Sequence, residues 1–317
     1  MRILVADKFE ESGLEALNSS GFHVVYSPDL KEEALLRGIE AERAEGLIVR
    51  STRVTEGMMS DSLKLIVRAG AGFNTIDIEA ARQKGIRVSN CPGKNARAVA
   101  ELTFGLILAL DRRIPDNVIQ LREGNWNKKE FGNARGLYGR TIGVIGVGNI
   151  GQIVLHTAKA FGMRVVAFSL DVGVEGAAAL DIDLVSSASE LAERSDIVTV
   201  HCALTPDTEG MLGVKFFAAM RPGALFVNTS RAEVVDQDAL LKAIEEKGIR
   251  AGLDLFEGQP STAVGEYSGR LKDNPNVYCT HHIGASTRQA QEAVSEEAVR
   301  VFRVFAETGE APNCVNC

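Results

Sequence analysis

GVIGVGNIG, residues 143–151, is the stretch on which the reading of this chain turns. Gly146, Gly148 and Gly151 stand in GxGxxG spacing, after an apolar run that starts at Thr141 and before QIVLHTAKAFG, whose apolar residues recur at helical spacing. The spacing alone describes many turns, but between a strand and a helix each glycine has a separate task. Gly146 makes the tight turn, Gly148 lets a pyrophosphate approach the backbone, and Gly151 lets helix and strand close up. The amides of Asn149 and Ile150 then face the phosphates from the helix N-terminus. The stretch reads as a dinucleotide site.

In such sites an acid usually follows the next strand, about twenty residues on, and binds the adenine ribose. Here MRVVAF (163–168) is followed by Ser169, Leu170 and Asp171. A serine makes one neutral hydrogen bond where a carboxylate makes two charge-assisted ones, a deficit of about 1–2 kcal/mol. Serine also removes the repulsion toward a 2′-phosphate, yet no Arg or Lys lies between 165 and 185 to bind one. Asp171 is open to two readings, a ribose ligand or a solvated loop acid. NAD is the expected cofactor, with NADP possible.

Outward from the glycine loop, short apolar runs alternate with amphipathic stretches. RILVA (2–6), FHVVY (22–26), GLIVR (46–50), LKLIVRAG (63–70) and IRVSN (86–90) precede it; MRVVAF, DIVTVHC (196–202), ALFVNTS (224–230), GIRAGLDLF (248–256) and NVYCTHH (276–282) follow. That rhythm predicts parallel sheets with helices on both faces. Between the two series lies ARAVAELTFGLILALDRR (96–113), apolar nearly all round over ELTFGLILAL, which predicts a helix buried in a core or in a subunit contact. A last helical pattern, 287–309, is expected to return to the first unit and make it discontinuous. The fold class is thus α/β, with two doubly wound parallel-sheet domains. A Rossmann dinucleotide-binding domain spans 98–286, and a flavodoxin-like substrate domain spans 1–97 plus 287–317.

The totals bound the function. A chain of 317 residues exceeds most single cores. Its 45% hydrophobic and 24% charged residues are those of a folded domain protein, and a net charge of −7 argues against a nucleic-acid partner. No apolar run reaches 18 residues, so no membrane segment is expected. The N-terminal MRILVADKF has no signal-peptide pattern, which makes the cytoplasm the expected compartment. Five cysteines suggest reduced thiols rather than a disulfide framework. CVNC (314–317) is expected to be a pair of thiols on a frayed end, and no metal site is expected.

NTSRAEVVD (228–236), GLDLFEGQP (252–260) and HHIGAST (281–287), set around a nucleotide domain placed second, resemble the D-isomer-specific 2-hydroxyacid dehydrogenases. The resemblance is nearest to the short-form phosphoglycerate dehydrogenase branch and runs end to end through VRSTRVT (49–55), VRAGAGFNTID (67–77) and NCPGKNARAVAEL (90–102). It implies oxidoreduction of a small 2-hydroxy or 2-keto acid, 3-phosphoglycerate above all. The all-round apolar face of ELTFGLILAL and the two-fold symmetry usual in soluble oligomers lead to a homodimer built through the nucleotide domains. Arg231 would hold the substrate carboxylate and polarise the carbonyl, and His282 would move the proton. The chemistry needs both, because hydride delivery to a keto acid builds charge on one oxygen beside a fixed carboxylate. Asp254 would lie near the nicotinamide amide, with Thr229, Ser230, Cys202, Gly284 and Ala285 beside the cofactor. Gly70, Ala71 and Gly72 would offer amides to the substrate carboxylate. Arg50 and Arg68 would suit a phosphate at its far end, unless each simply pairs with an acid. Asn95 and Arg97 sit where the first crossing between domains belongs, and His281 is a bystander.

One position departs from the family pattern. The glutamate that backs the histidine stands just before the proline of this loop, and here that residue is Gln259. A carboxylate within about 4–6 Å raises a histidine pKa by about 1–3 units. An amide can orient the ring by accepting its proton in a hydrogen bond, but it cannot hold a charge there. The expectation is a retuned enzyme. Two alternatives stand beside it: a reductase for hydroxypyruvate or glyoxylate, and an NADH-sensing binding protein like the C-terminal-binding-protein corepressors.

Overall fold

A computed structural model describes residues 1–260 and 264–317. The chain forms two compact units, Met1–Ala96 with Ala285–Cys317, and Arg97–Gly284.

In the first unit β1 (Arg2–Val5), β2 (His23–Tyr26), β3 (Gly46–Val49), β4 (Leu65–Arg68) and β5 (Arg87–Ser89) make one parallel sheet in the order β2-β1-β3-β4-β5. That is the flavodoxin-like order. The β3 residues Gly-Leu-Ile-Val are buried throughout, as a parallel strand covered on both faces requires. The helix Arg288–Thr308 belongs to this core: Val294, Ala298, Val301 and Phe302 pack with Ile3, Val5, Ile48 and Val67. Gly46 makes room for it, because a β-carbon there would sit 2.5 Å from the Phe302 ring. Thr287 caps the helix by accepting from Ala290 N at 3.2 Å, and Gly309 ends it at φ 75°.

In the second unit β6 (Thr141–Ile145), β7 (Arg164–Phe168), β8 (Asp183–Leu184), β9 (Ile197–Val200), β10 (Leu225–Asn228), β11 (Arg250–Leu253) and β12 (Val277–Cys279) form a parallel sheet. Its order, β12-β11-β10-β9-β6-β7-β8, is the Rossmann arrangement with one added strand, and the order reverses between β6 and β9. Both doubly wound sheets are those the residue pattern predicts. The apolar run ELTFGLILAL lies in the helix Ala96–Arg112, where Phe104, Leu106, Ile107 and Leu110 are buried with Ile142, Val144 and Val227. Its greasiness is explained by the unit's own core. No helix among the described residues is long and apolar enough to cross a membrane.

The reading of CVNC as thiols on a frayed end is corrected. Cys314 and Cys317 form a disulfide, and Asn316 between them is buried. Asn316 Oδ1 accepts from Val88 N at 2.8 Å, and its Nδ2 donates to Ile86 O at 2.9 Å. The segment therefore docks along β5, and sequence spacing carries no signal of that because the partners lie over 200 residues away.

Candidate active site

The glycine loop joins β6 to the helix Asn149–Ala160, and its three glycines meet different surroundings. Gly146 has φ 89°, and a β-carbon there would lie 2.5 Å from Cys202 N. A β-carbon on Gly151 would collide with the carbonyl of Gly146. Gly148, the N-cap, faces open space, so a ligand can approach its backbone. The first-turn amides of Asn149, Ile150 and Gly151 have no partner one turn back, as at any helix start. Ser169 follows β7, and its Oγ accepts from Asp171 N and Val172 N, both at 3.3 Å. The hydroxyl thus shapes the turn, while Asp171 is exposed.

Beyond β9, His201 is buried, and its Nε2 lies 2.9 Å from Thr199 Oγ1. Burial pushes its pKa down to about 3, which keeps the ring neutral, and burial likewise pushes the Cys202 thiol up to about 11. Cys202 is a spacer against the glycine turn, chemically quiet at neutral pH.

Three neighbouring parallel strands, β10, β11 and β12, end side by side, and their carboxyl ends carry Arg231, Asp254 with Gln259, and His282. Asn228 organises the first of these turns. Its Oδ1 accepts from Ser230 N and Ser230 Oγ, both at 2.9 Å, and its Nδ2 donates to Arg231 O at 2.8 Å. Thr229 Oγ1 meets Thr103 Oγ1 at 3.0 Å. Arg231 Nη1 donates to Ser230 O at 2.7 Å, and no carboxylate among the described residues forms a salt bridge with its half-buried guanidinium. Burial lowers its pKa, so the cation is held at the cost of desolvation.

Asp254 is buried, and both its oxygens accept bonds from the histidine loop. Oδ1 accepts from Thr280 Oγ1 at 2.6 Å and Ile283 N at 2.9 Å, Oδ2 accepts from Gly284 N at 2.8 Å, and its carbonyl accepts His282 N at 3.1 Å. These bonds hold His282 in a left-handed conformation, φ 53°, which a non-glycine residue adopts only when its surroundings impose it. Gln259 Nε2 lies 3.3 Å from His282 Nδ1. Where the sequence reading had the amide oxygen on the ring, the amide nitrogen faces it. Glu257 and His281 are exposed, and the Glu257 backbone nitrogen is tied to Gln237 Oε1 at 3.2 Å.

In the first unit, Asp7 organises VRST (49–52). Its Oδ2 accepts from the backbone nitrogens of Arg50, Ser51 and Thr52 at 2.6, 3.0 and 2.9 Å. The Arg50 side chain reaches Ser286 Oγ at 3.5 Å, and it too forms no salt bridge among the described residues. Arg68 lies over Gly70, where a β-carbon would strike its guanidinium. Ala71 O accepts from Asn90 Nδ2 at 2.6 Å, and Gly70 O accepts from Cys91 N at 2.9 Å. Gly72 follows on the same loop, and Ala285 O accepts from Gln291 Nε2 at 2.6 Å.

The sequence reading missed Asp7, Asn90, Thr103, Asn228 and Thr280. Asn228 stood within a quoted motif, and its side chain bonding two residues ahead is ordinary turn chemistry. The other four act over long sequence separations and leave no local pattern.

A family model described as the D-isomer specific 2-hydroxyacid dehydrogenase NAD binding domain matches residues 104–284. A D-3-phosphoglycerate dehydrogenase of Methanocaldococcus jannaschii is 41% identical over 100% of this chain, which spans 59% of that relative. A hydroxypyruvate reductase of Thermotoga maritima is 37% identical over 97% of this chain and 98% of its own. A crystal structure of a Thermus thermophilus protein superposes with a TM-score of 0.88 at 34% identity, covering 99% of this chain and 100% of that one. The strand order, the glycine loop and these matches agree that the chain belongs to the D-isomer-specific 2-hydroxyacid dehydrogenases, with Arg97–Gly284 as the unit that carries their NAD-binding domain.

Proposed function

We propose that the protein interconverts a D-2-hydroxy acid and its 2-keto acid with NAD, and that 3-phosphoglycerate and 3-phosphohydroxypyruvate are the pair it serves. The observation that carries this reading is Arg231, a half-buried guanidinium without a carboxylate partner among the described residues, on a turn next to the strand ends bearing His282. A desolvated cation of this kind suits a substrate carboxylate and the charge that builds on the neighbouring oxygen.

The glycine loop fits a dinucleotide, with Gly148 open and Gly146 and Gly151 packed too closely for side chains. NAD, when bound, supplies the hydride acceptor and, in reduced form, the donor. Gly146, Gly148, Asn149, Ile150 and Gly151 would hold its pyrophosphate, with Ser169 toward the ribose and Cys202, Thr229, Ser230, Gly284 and Ala285 along its length. Asp254 acts by fixing the loop that carries His282. The histidine gives a proton to the alkoxide oxygen in reduction and takes one from the hydroxyl in oxidation. Gln259 sets the ring plane. Gly70, Ala71 and Gly72 present backbone to the substrate carboxylate, and Arg50 and Arg68 take the phosphate.

The full-length match to a hydroxypyruvate reductase favours a second reading, an unphosphorylated 2-keto acid as substrate. Steady-state kcat/KM for 3-phosphohydroxypyruvate, hydroxypyruvate and glyoxylate separates the two. At least a tenfold preference for the phosphorylated acid is expected, and parity or the reverse supports the second. Tight NADH binding without turnover of any of the three would move the protein to the sensor class.

The same proposal includes a homodimer in the cytoplasm. Ile114, Val118 and Leu121 line one exposed face of the helix Ile114–Arg122, and Trp126 is 79% exposed. An apolar patch of this kind supports self-association. Ile114→Asp with Leu121→Asp should give a monomer by light scattering at micromolar concentration.

A further inference from the structure

The CVNC motif has no part in the reaction above, yet it is tied to the loop proposed to bind substrate. Val315 N donates to Val88 O at 2.8 Å, and Asn316 bonds Val88 and Ile86 as described. One residue before the motif, Asn313 holds φ 57°, donates through Nδ2 to Glu297 Oε1 at 2.7 Å and to Asn90 O at 3.3 Å, and accepts from Asn90 N at 3.4 Å. Asn90 in turn donates to Ala71 O at 2.6 Å. A continuous run of hydrogen bonds therefore leads from the disulfide through Asn90 to residues 70–72.

We propose that Cys314 and Cys317 form a reversible thiol–disulfide site whose state sets how firmly β5, Asn90 and residues 70–72 are held. Cys317 is exposed while Cys314 is partly covered, so the outer sulfur is open to an incoming thiolate. A bond closing only four residues gains little from loop closure, which leaves it within reach of small dithiols. The partner is a thioredoxin-class dithiol or a small thiol of the same chemistry. Its thiolate attacks Sγ of Cys317, and the sulfur of Cys314 leaves as thiolate and takes a proton. The second thiol then resolves the mixed disulfide, giving two protein thiols and one reductant disulfide. Cys91 is buried and Cys202 partly so, and burial pushes their thiols up to about 12 and about 11; Cys279 is exposed, its thiol likewise held up to about 11, so it stays a thiol at neutral pH and is counted separately in the alkylation. The effect on substrate rests on the reading of residues 70–72 given above; the redox site does not.

The test uses the full chain, oxidised with glutathione disulfide or reduced with dithiothreitol, with thiols counted by alkylation and mass. Amide hydrogen exchange is then followed at 68–72 and 86–91, with 149–160 as control. Reduction is expected to speed exchange in the first two segments on the order of tenfold and leave the control unchanged. Cys314→Ser with Cys317→Ser should match the reduced protein in both buffers. Asn316→Ala should loosen the same segments with the disulfide intact, which guards against a serine variant that folds poorly. Unchanged exchange after complete reduction, or two free thiols that glutathione disulfide cannot close, would overturn the proposal. KM for the keto acid should rise severalfold on reduction with kcat held. Faster exchange at a constant KM supports the redox site and removes substrate binding from residues 70–72.

Discussion

The amide nitrogen of Gln259 stands 3.3 Å from Nδ1 of His282, while its oxygen is buried without a hydrogen-bond partner among the described residues. A donor facing Nδ1 favours the neutral ring protonated on Nε2. An imidazolium carries a proton on both nitrogens and needs an acceptor at Nδ1. Under the proton-transfer role proposed for His282, an acceptor at Nδ1 is supplied by a half-turn of the Gln259 carboxamide, which brings the unpartnered oxygen onto the ring.

Gln259→Glu should remove the need for that half-turn, because a carboxylate accepts from Nδ1 and stabilises the charge. In the proposed mechanism reduction needs the imidazolium, so its kcat/KM falls as pH rises through the histidine pKa, and a raised pKa moves that fall upward. The reductive limb is expected to shift up by about one unit or more, while oxidation loses activity at its low-pH end. Glu257→Gln should leave both limbs in place. If Glu257→Gln instead moves the limb down and Gln259→Glu does nothing, the carboxylate role belongs to Glu257.

Arg231→Lys keeps the charge but loses the planar fork. A drop in kcat/KM of about 100-fold or more is expected, with Tm within a few degrees of the parent, since no carboxylate among the described residues forms a salt bridge with this guanidinium. Unaltered kcat/KM would remove Arg231 from the site.

Gly148→Ala and Gly151→Ala separate binding from packing. The first places a methyl in open space and should raise KM for NADH about tenfold at constant Tm. The second drives a methyl into the Gly146 carbonyl and should destabilise the fold by about 2 kcal/mol or more, read by denaturant unfolding.

The loop after β7 carries Ser169, whose oxygen accepts two backbone amides, and no cation between 165 and 185 that would neutralise a 2′-phosphate. NADH should exceed NADPH in kcat/KM by at least tenfold. A tenfold preference for NADPH would show that Asp171 does not face the ribose.

Glu297 supplies a stability test that does not depend on the reaction. Bidentate pairing with Arg300, then Asn313 and Lys94, hold its pKa down to about 2 against an ordinary 4.5. The folded value is depressed, so the stabilisation is present above about pH 4.5 and is lost as pH falls toward 2. Glu297→Gln should lower stability at neutral pH and flatten the decline across that window, measured by urea unfolding at several pH values.

The alternation of apolar runs and helices and the three glycines with their different tasks were legible in the sequence, as were the motifs around Arg231 and His282. Each is a local pattern, set by periodicity or by what a short turn demands of its residues. The tertiary structure alone decided that Asp254 turns both carboxylate oxygens to the histidine loop, and that Gln259 meets the ring with its nitrogen. It also decided that Asp7 gathers the amides of residues 50–52, that ELTFGLILAL is covered by its own unit, and that CVNC closes into a disulfide along β5. These depend on partners brought together from tens to hundreds of residues away, and a carboxylate or amide looks the same in sequence whichever donors the fold delivers to it.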